Sequence, residues 1–209
     1  MNYLDIHHIA FTIMGYSLSY IELLATLSGL ISVYYASRGN VLTWPTGIIN
    51  EIALAILFYQ VQLYADMFLQ VYFFIVTIFG WYHWKSNTAD VPITRLSAKG
   101  VQRYIISLII GTVILGTVIK QLHVWLPVYF TVPAAYPYAD SFVTVASILA
   151  TMLLAKKQLE NWVFWIVVDV ISVILYLVKG INFLSLEYVL FLGLASWGLW
   201  QWRKKVRYA

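Results

Sequence analysis

Compared with itself at an offset of 118 residues, the chain repeats: Tyr20 to Lys85 lies over Tyr138 to Arg203 without a gap. Trp44 falls on Trp162, Ile48 on Ile166, Leu57 on Leu175, Phe73 on Phe191, Gly80 on Gly198 and Trp84 on Trp202. Glu22 meets Asp140, Arg38 meets Lys156 and Glu51 meets Asp169. Identities number only about ten, yet matched tryptophans and matched acids in an apolar background mark a duplicated unit. Many transporters are two copies of a membrane unit around one central site.

The solvent this unit needs is read from composition. Hydrophobic residues make up 62% and charged residues 11%, against roughly 25% charged in soluble domains. Mean hydropathy is +0.79. Several apolar stretches approach the roughly 20 residues that cross hydrocarbon as a helix. The pattern predicts an all-α integral membrane protein with seven spans, near 18–37, 41–60, 63–84, 102–122, 138–155, 160–178 and 182–202. Repeat one (about 18–85) and repeat two (about 138–203) supply three spans each, and a linker helix (about 102–122) separates them. All lie in one transporter domain over residues 1–209. An odd linker span is what makes two three-helix repeats parallel, a 3+1+3 plan.

Charge placement agrees. A cytoplasmic C-terminus puts Arg38, Lys85, Arg95, Lys99, Arg103, Lys156, Lys157, Arg203, Lys204, Lys205 and Arg207 inside, and only Lys120 and Lys179 outside. This positive-inside bias works only with the N-terminus out. It also accounts for the net charge of +4, so no nucleic-acid partner is expected. Met1 to Tyr20 carries Asp5 and lacks a basic start and a small-residue cleavage site, so it is read as no signal peptide. Met1 to Ser17 is placed on the outer surface, with His7 and His8 exposed. Lys85 to Gly100 reads as a cytoplasmic loop. Val124 to Tyr138, with Pro127, Pro133 and Pro137 among aromatics, reads as an interfacial outer segment. Gly111, Thr112 and Gly116 give the linker span a small-residue face for helix contact, within or between subunits, so a homo-oligomer stays open.

Ionisable residues inside a bilayer are costly and face a cavity or a partner. Glu51 and Asp169 fall near the middles of spans two and six and are equivalent by the repeat, with no Lys or Arg at similar depth. They read either as carboxyls fastening two helices or as a site for a cation: an organic cation, a proton or sodium. Trp162, Trp165, Asp169, Ser172 and Tyr176 share one helical face of span six. Trp44, Gly47 and Glu51 repeat the spacing in span two, with Asn50 alongside. Aromatic faces attract cations by roughly 0.5–2 kcal/mol each. Trp44 and Trp162 read as interfacial anchors near the inner surface. Span three carries Asp66, Gln70, Phe73, Thr77 and Trp81 on one side, and span seven carries Glu187 and Tyr188, the latter over Gln70. A buried Gln needs a partner for its amide, from a neighbouring helix or from substrate hydroxyls. Glu22, Asp66, Asp140 and Glu187 gather at outer helix ends, as caps or as a mild attractant for cations.

No phosphate loop, no HExxH, no metal-ligating cluster and no nucleophile elbow occur, and the chain has no cysteine. His83 and His123 stand alone. An enzyme is not expected, nor a cofactor, nor a metal.

The stretch WPTGIIN (Trp44 to Asn50) followed by QLYADMFLQVYFFIVTIFGWYHW (Gln62 to Trp84) resembles the PnuC family of vitamin transporters. ENWVFWIVVDVISVILY (Glu160 to Tyr176) and SLEYVLF (Ser185 to Phe191) repeat the match in the second half. The resemblance implies a bacterial inner-membrane carrier of nicotinamide riboside, with relatives for thiamine or riboflavin, and a SWEET-like fold. It implies a uniporter whose vitamin is trapped by cytoplasmic phosphorylation. The motif positions fall on Asn50, Gln70, Trp165 and the Glu187–Tyr188 pair. The nicotinamide riboside members have Asn where Asp169 stands, which leaves the vitamin open. Nicotinamide riboside, a flat pyridinium cation with a hydroxylated ribose, suits an aromatic cage near Asp169 or Glu51, with Asn50 and Gln70 for amide or hydroxyls. The expected site thus comprises Asn50, Glu51, Gln70, Thr77, Trp81, Trp165, Asp169, Ser172, Tyr176, Glu187 and Tyr188. The expected reading is a nicotinamide riboside uniporter. Its alternatives are a thiamine or riboflavin carrier, a proton- or sodium-coupled carrier, and a membrane receptor that binds without moving its ligand.

Overall fold

The computed structural model describes residues 3–13, 15–60, 64–86, 92–130, 133–178 and 182–206. Lys179, Arg207 and the side chain of Asp66, invoked above, lie outside the described residues. Among the described residues seven helices occupy the predicted spans: α1 Tyr20–Arg38, α2 Thr43–Gln60, α3 Tyr64–Ser86, α4 Ala98–Trp125, α5 Pro137–Ala155, α6 Asn161–Val178 and α7 Asn182–Lys205. Over 18-residue windows α4, α5 and α6 reach mean hydropathies of 2.0, 1.6 and 2.1, and by length and composition each is apolar enough to cross a membrane. The other four are at least as long as α6.

Local chemistry sets the ends. Ser19 and Glu22 form a reciprocal capping box at the start of α1, and Gly39 closes that helix at φ 69, in the left-handed region. Ser97 accepts from Gly100 N at 3.2 Å, so α4 begins four residues before the predicted span. Before α1 runs an antiparallel hairpin, β1 Ile9–Ile13 and β2 Tyr16–Ser19, where the sequence suggested only a surface segment. Its strands are largely exposed and polar contacts anchor the segment. Gln60, at the end of α2, donates to Leu4 O at 2.6 Å and accepts from Ile6 N at 2.9 Å.

Within each repeat the helices pack in chain order, α1 on α2 on α3 and α5 on α6 on α7. Between repeats, α1 packs on α7 and α3 on α5. Trp44, Trp84, Trp162 and Trp202 build the core at one end of the bundle. Trp44 and Trp84 meet edge to face at 5.1 Å, Trp162 and Trp202 at 5.6 Å, and Trp84 and Trp202 join the two pairs at 6.3 Å. Trp84 Nε1 donates to Ala155 O of α5, and Trp202 Nε1 donates to Ala36 O of α1, both at 3.0 Å. Trp44 and Trp162 are 2% and 1% exposed, so they are packed core rather than anchors at a membrane surface.

Each of those two rings lies flat on a glycine one helix away. A Cβ on Gly80 would stand 2.3 Å from Trp44 Cη2, and one on Gly198 would stand 2.7 Å from Trp162 Cη2. Even alanine cannot enter without moving a buried indole. Gly80→Ala is expected to destabilise by about 1–3 kcal/mol, the usual cost of overpacking, read as a lowered Tm in detergent. A wild-type Tm would mean the ring yields freely.

Helix α4 sits at the edge. Gly111 receives Val145 and Gly116 receives Tyr138, so the small-residue face is spent on α5 of the same chain. Ile105, Ile106, Ile109, Ile110, Val113 and Ile114 point outward, as a lipid-facing surface should. The tryptophan end is also the basic end: Lys205 Nζ donates to Arg38 O at 2.9 Å, and Lys157 lies 4.6 Å over the Trp84 ring. Part of the loop before α4 is fixed there. Thr94 N donates to Lys157 O at 3.1 Å, Leu159 N donates to Thr94 O at 2.9 Å, and Arg95 approaches Glu160 at 3.8 Å.

Candidate functional site

Four helices carry the eleven expected residues: Asn50 and Glu51 on α2; Gln70, Thr77 and Trp81 on α3; Trp165, Asp169, Ser172 and Tyr176 on α6; Glu187 and Tyr188 on α7. The α6 stripe faces inward as its spacing requires, with Asp169 at 3% exposure, Ser172 buried, and Trp165 and Tyr176 half-buried.

In the first repeat the acid is engaged. Thr77 Oγ1 donates to Glu51 Oε1, which ties α3 to α2, while Glu51 Oε2 is buried with no hydrogen-bond partner among the described residues. Asn50 Nδ2 donates to Ala25 O of α1 at 2.7 Å. It can do so because Gly29 lets the amide come close: a Cβ there would stand 3.0 Å from Asn50 Nδ2 and 3.5 Å from Phe191 Cζ. Phe191 therefore brings α7 of the second repeat to the Asn50 region of the first.

In the second repeat the acid stands among aromatics. Tyr176 and Tyr188 stack at 5.4 Å, nearly parallel, and Tyr188 meets Phe191 at 6.1 Å. The Tyr188 phenol meets Ser172 and lies near Asp169. Asp169 has no hydrogen bond or ion pair among the described residues. Gln70, 7% exposed, likewise makes no hydrogen bond among the described residues. Asn50, Phe191, Tyr188, Tyr176, Ser172 and Asp169 thus form one connected polar and aromatic group. Trp81 and Trp165 pack on the tryptophan core at its basic end.

Glu187 points the other way, toward Thr26 and Glu22 of α1. Glu22 also accepts from the Tyr16 phenol on β2. Burial and then this bond to Glu22 push the Tyr16 phenol above its usual range. Glu22 serves α1 as a cap and Asp140 stands in the first turn of α5, where a helix dipole favours an acid. The residues that sequence reasoning missed are Thr26, Tyr16 and Phe191. Phe191 had a signal, since it matches Phe73 in the repeat. Thr26 and Tyr16 had none, because their roles depend on how α7 and the hairpin meet α1.

Comparison with known proteins follows from this geometry. A sequence profile described as nicotinamide mononucleotide transporter matches residues 19–204. The nicotinamide riboside transporter PnuC of Escherichia coli strain K12 is 31% identical, over 96% of this chain and 92% of that protein. The riboflavin/roseoflavin transporter RibM of Streptomyces davaonensis is 26% identical, over 97% of this chain and 92% of RibM. A crystal structure of the vitamin B3 transporter PnuC superposes with a TM-score of 0.68 at 23% identity, covering 88% of this chain and 81% of that one. At that identity the likeness establishes the helical fold alone.

Proposed function

The chain belongs to the nicotinamide mononucleotide transporter family, and from that membership we propose that it takes up nicotinamide riboside by facilitated diffusion. The carrying observation is Asp169: a buried acid with no hydrogen bond or ion pair among the described residues, near the Tyr176–Tyr188 stack and on the same helical face as Trp165. Such a group answers a flat cation. Asn50 and Gln70 offer donors and acceptors to the ribose hydroxyls or the carboxamide.

The proposed architecture is 3+1+3 with parallel, SWEET-like repeats, α1–α3 and α5–α7, joined by α4. The crossed bonds Trp84 to Ala155 and Trp202 to Ala36 support it, since they are the same contact made in both directions to within one residue. Triads joined this way rock about a central site. The basic end faces the cytoplasm, the N-terminus lies outside, and the membrane is the bacterial inner membrane. A uniporter equilibrates its cargo, so cytoplasmic phosphorylation makes uptake one-way, and uptake into vesicles persists without an ion gradient.

Riboflavin is the second reading, favoured by the similarity to RibM. Calorimetric titration of the purified protein with nicotinamide riboside, thiamine and riboflavin separates the readings. Binding of nicotinamide riboside alone is the expected result, and binding of another vitamin alone reassigns the cargo. In the same titration Trp165→Ala and Gln70→Ala should each weaken binding by more than about 1 kcal/mol, the scale of a lost stacking or hydrogen-bond contact. Unchanged affinity in both removes this site.

A further inference from the structure

The two halves treat their acids differently. In the first, Thr77 of α3 donates to Glu51, and Gly47, one turn earlier on α2, lets Ser32 of α1 and Thr77 of α3 pack close to that side of the helix. A Cβ at Gly47 would stand 3.3 Å from Ser32 Oγ and 3.9 Å from Glu51 Oε1. At the repeat offset Thr77 becomes Ala195 and Gly47 becomes Trp165. The pair α6–α7 keeps the register of α2–α3, because Trp162 lies on Gly198 as Trp44 lies on Gly80. Ala195, 1% exposed, therefore occupies the place on α7 from which its counterpart on α3 reaches the acid. It brings a methyl group instead of a hydroxyl. Asp169 is also one methylene shorter than Glu51, and Trp165 stands one turn earlier on the same helix.

We propose that Ala195 determines specificity: by denying Asp169 a hydroxyl partner it reserves that carboxyl for the cationic ring of the cargo, while Thr77 commits Glu51 to fastening α2 to α3. Ala195 is a positioning residue that acts through Asp169. A carboxyl this buried is costly without a partner, and the cargo supplies the missing one. A hydroxyl at position 195 would satisfy Asp169 from within and shift preference from cationic toward neutral flat-ring vitamins. The inference rests on the reading of this group as a vitamin site.

The test uses full-length Ala195→Ser with two readouts. The first is the infrared carboxyl band of Asp169, assigned by its loss in Asp169→Asn. It should shift in Ala195→Ser as the carboxyl gains a donor. The second is calorimetric affinity: nicotinamide riboside should bind at least about tenfold more weakly, the scale of competition by a hydrogen bond to a charged group, while riboflavin is unaffected. Ala195→Cys, similar in size to serine but a weak donor, should keep the band and the affinity of the wild type. An unmoved band in Ala195→Ser overturns the inference, as does a moved band with unchanged cation affinity. An equal loss in Ala195→Cys marks bulk rather than hydrogen bonding and also overturns it. Should the wild-type protein bind no nicotinamide riboside, the transport reading fails on its own, and the infrared band still decides whether Ala195 leaves Asp169 unbonded.

Discussion

Trp202→Ala is expected to cost about 3–5 kcal/mol of stability, the range for emptying a buried tryptophan site. Trp202 is 0% exposed, meets Trp162 edge to face, touches Trp84, and donates to Ala36 O across the boundary between the repeats. Its loss removes packing from both halves and leaves the Ala36 carbonyl without that donor. Trp202→Phe separates the two contributions. The ring bulk largely stays and the N–H goes, while Ala36 O keeps its bond from Gly39 N at 2.9 Å, so the lost hydrogen bond should cost about 0.5–1.5 kcal/mol. Trp84→Phe should behave alike at Ala155. Because the two indoles touch, the double variant should fall short of the sum of the singles. Thermal unfolding in detergent reads all four. Wild-type stability in Trp202→Ala would mean that the tryptophan core does not hold α1 to α7.

This core shows what a chain like this reveals before folding and what it withholds. The seven helices were legible because hydrocarbon leaves a spanning segment almost no other way to satisfy its backbone, and the predicted spans coincide with α1–α7 to within a few residues. The hairpin Ile9–Ser19 was not legible, since its strands are short and mostly exposed, and the segment before it is held by a distant glutamine side chain. Trp44 and Trp162 looked like surface anchors because their depth along the helix was readable and their facing glycines were not. The matched pairs Trp44–Gly80 and Trp162–Gly198 were present in the repeat, but only packing shows that each pair is in contact. The acid stripe was legible as a stripe, because period and polarity point it inward. Which acid is engaged was not. That turns on Thr77 and Ala195, whose meaning depends on the register between two helices.

Asp169→Asn removes charge at nearly constant shape and should give the largest functional effect. Two unit charges about 4 Å apart at an effective dielectric near 20 interact by about 4 kcal/mol. Desolvation of both partners takes back part of that, so the expected net loss for nicotinamide riboside is at least about 1.4 kcal/mol, or tenfold. Riboflavin carries no charge and should bind the variant as it binds the wild type. Glu51→Gln is the matched control. Its carboxyl already accepts from Thr77, so that variant should lose stability through a weakened tie between α2 and α3 while keeping most of its affinity. Asp169→Asn also asks whether an amide suffices at that position. Unchanged affinity in Asp169→Asn would show that it does, and the aromatic stack and the ribose contacts would then hold the cargo without help from charge. Equal losses in both variants would return the two acids to equivalent roles, as their symmetry in the sequence first suggested, and would count against a division of labour set by Thr77 and Ala195.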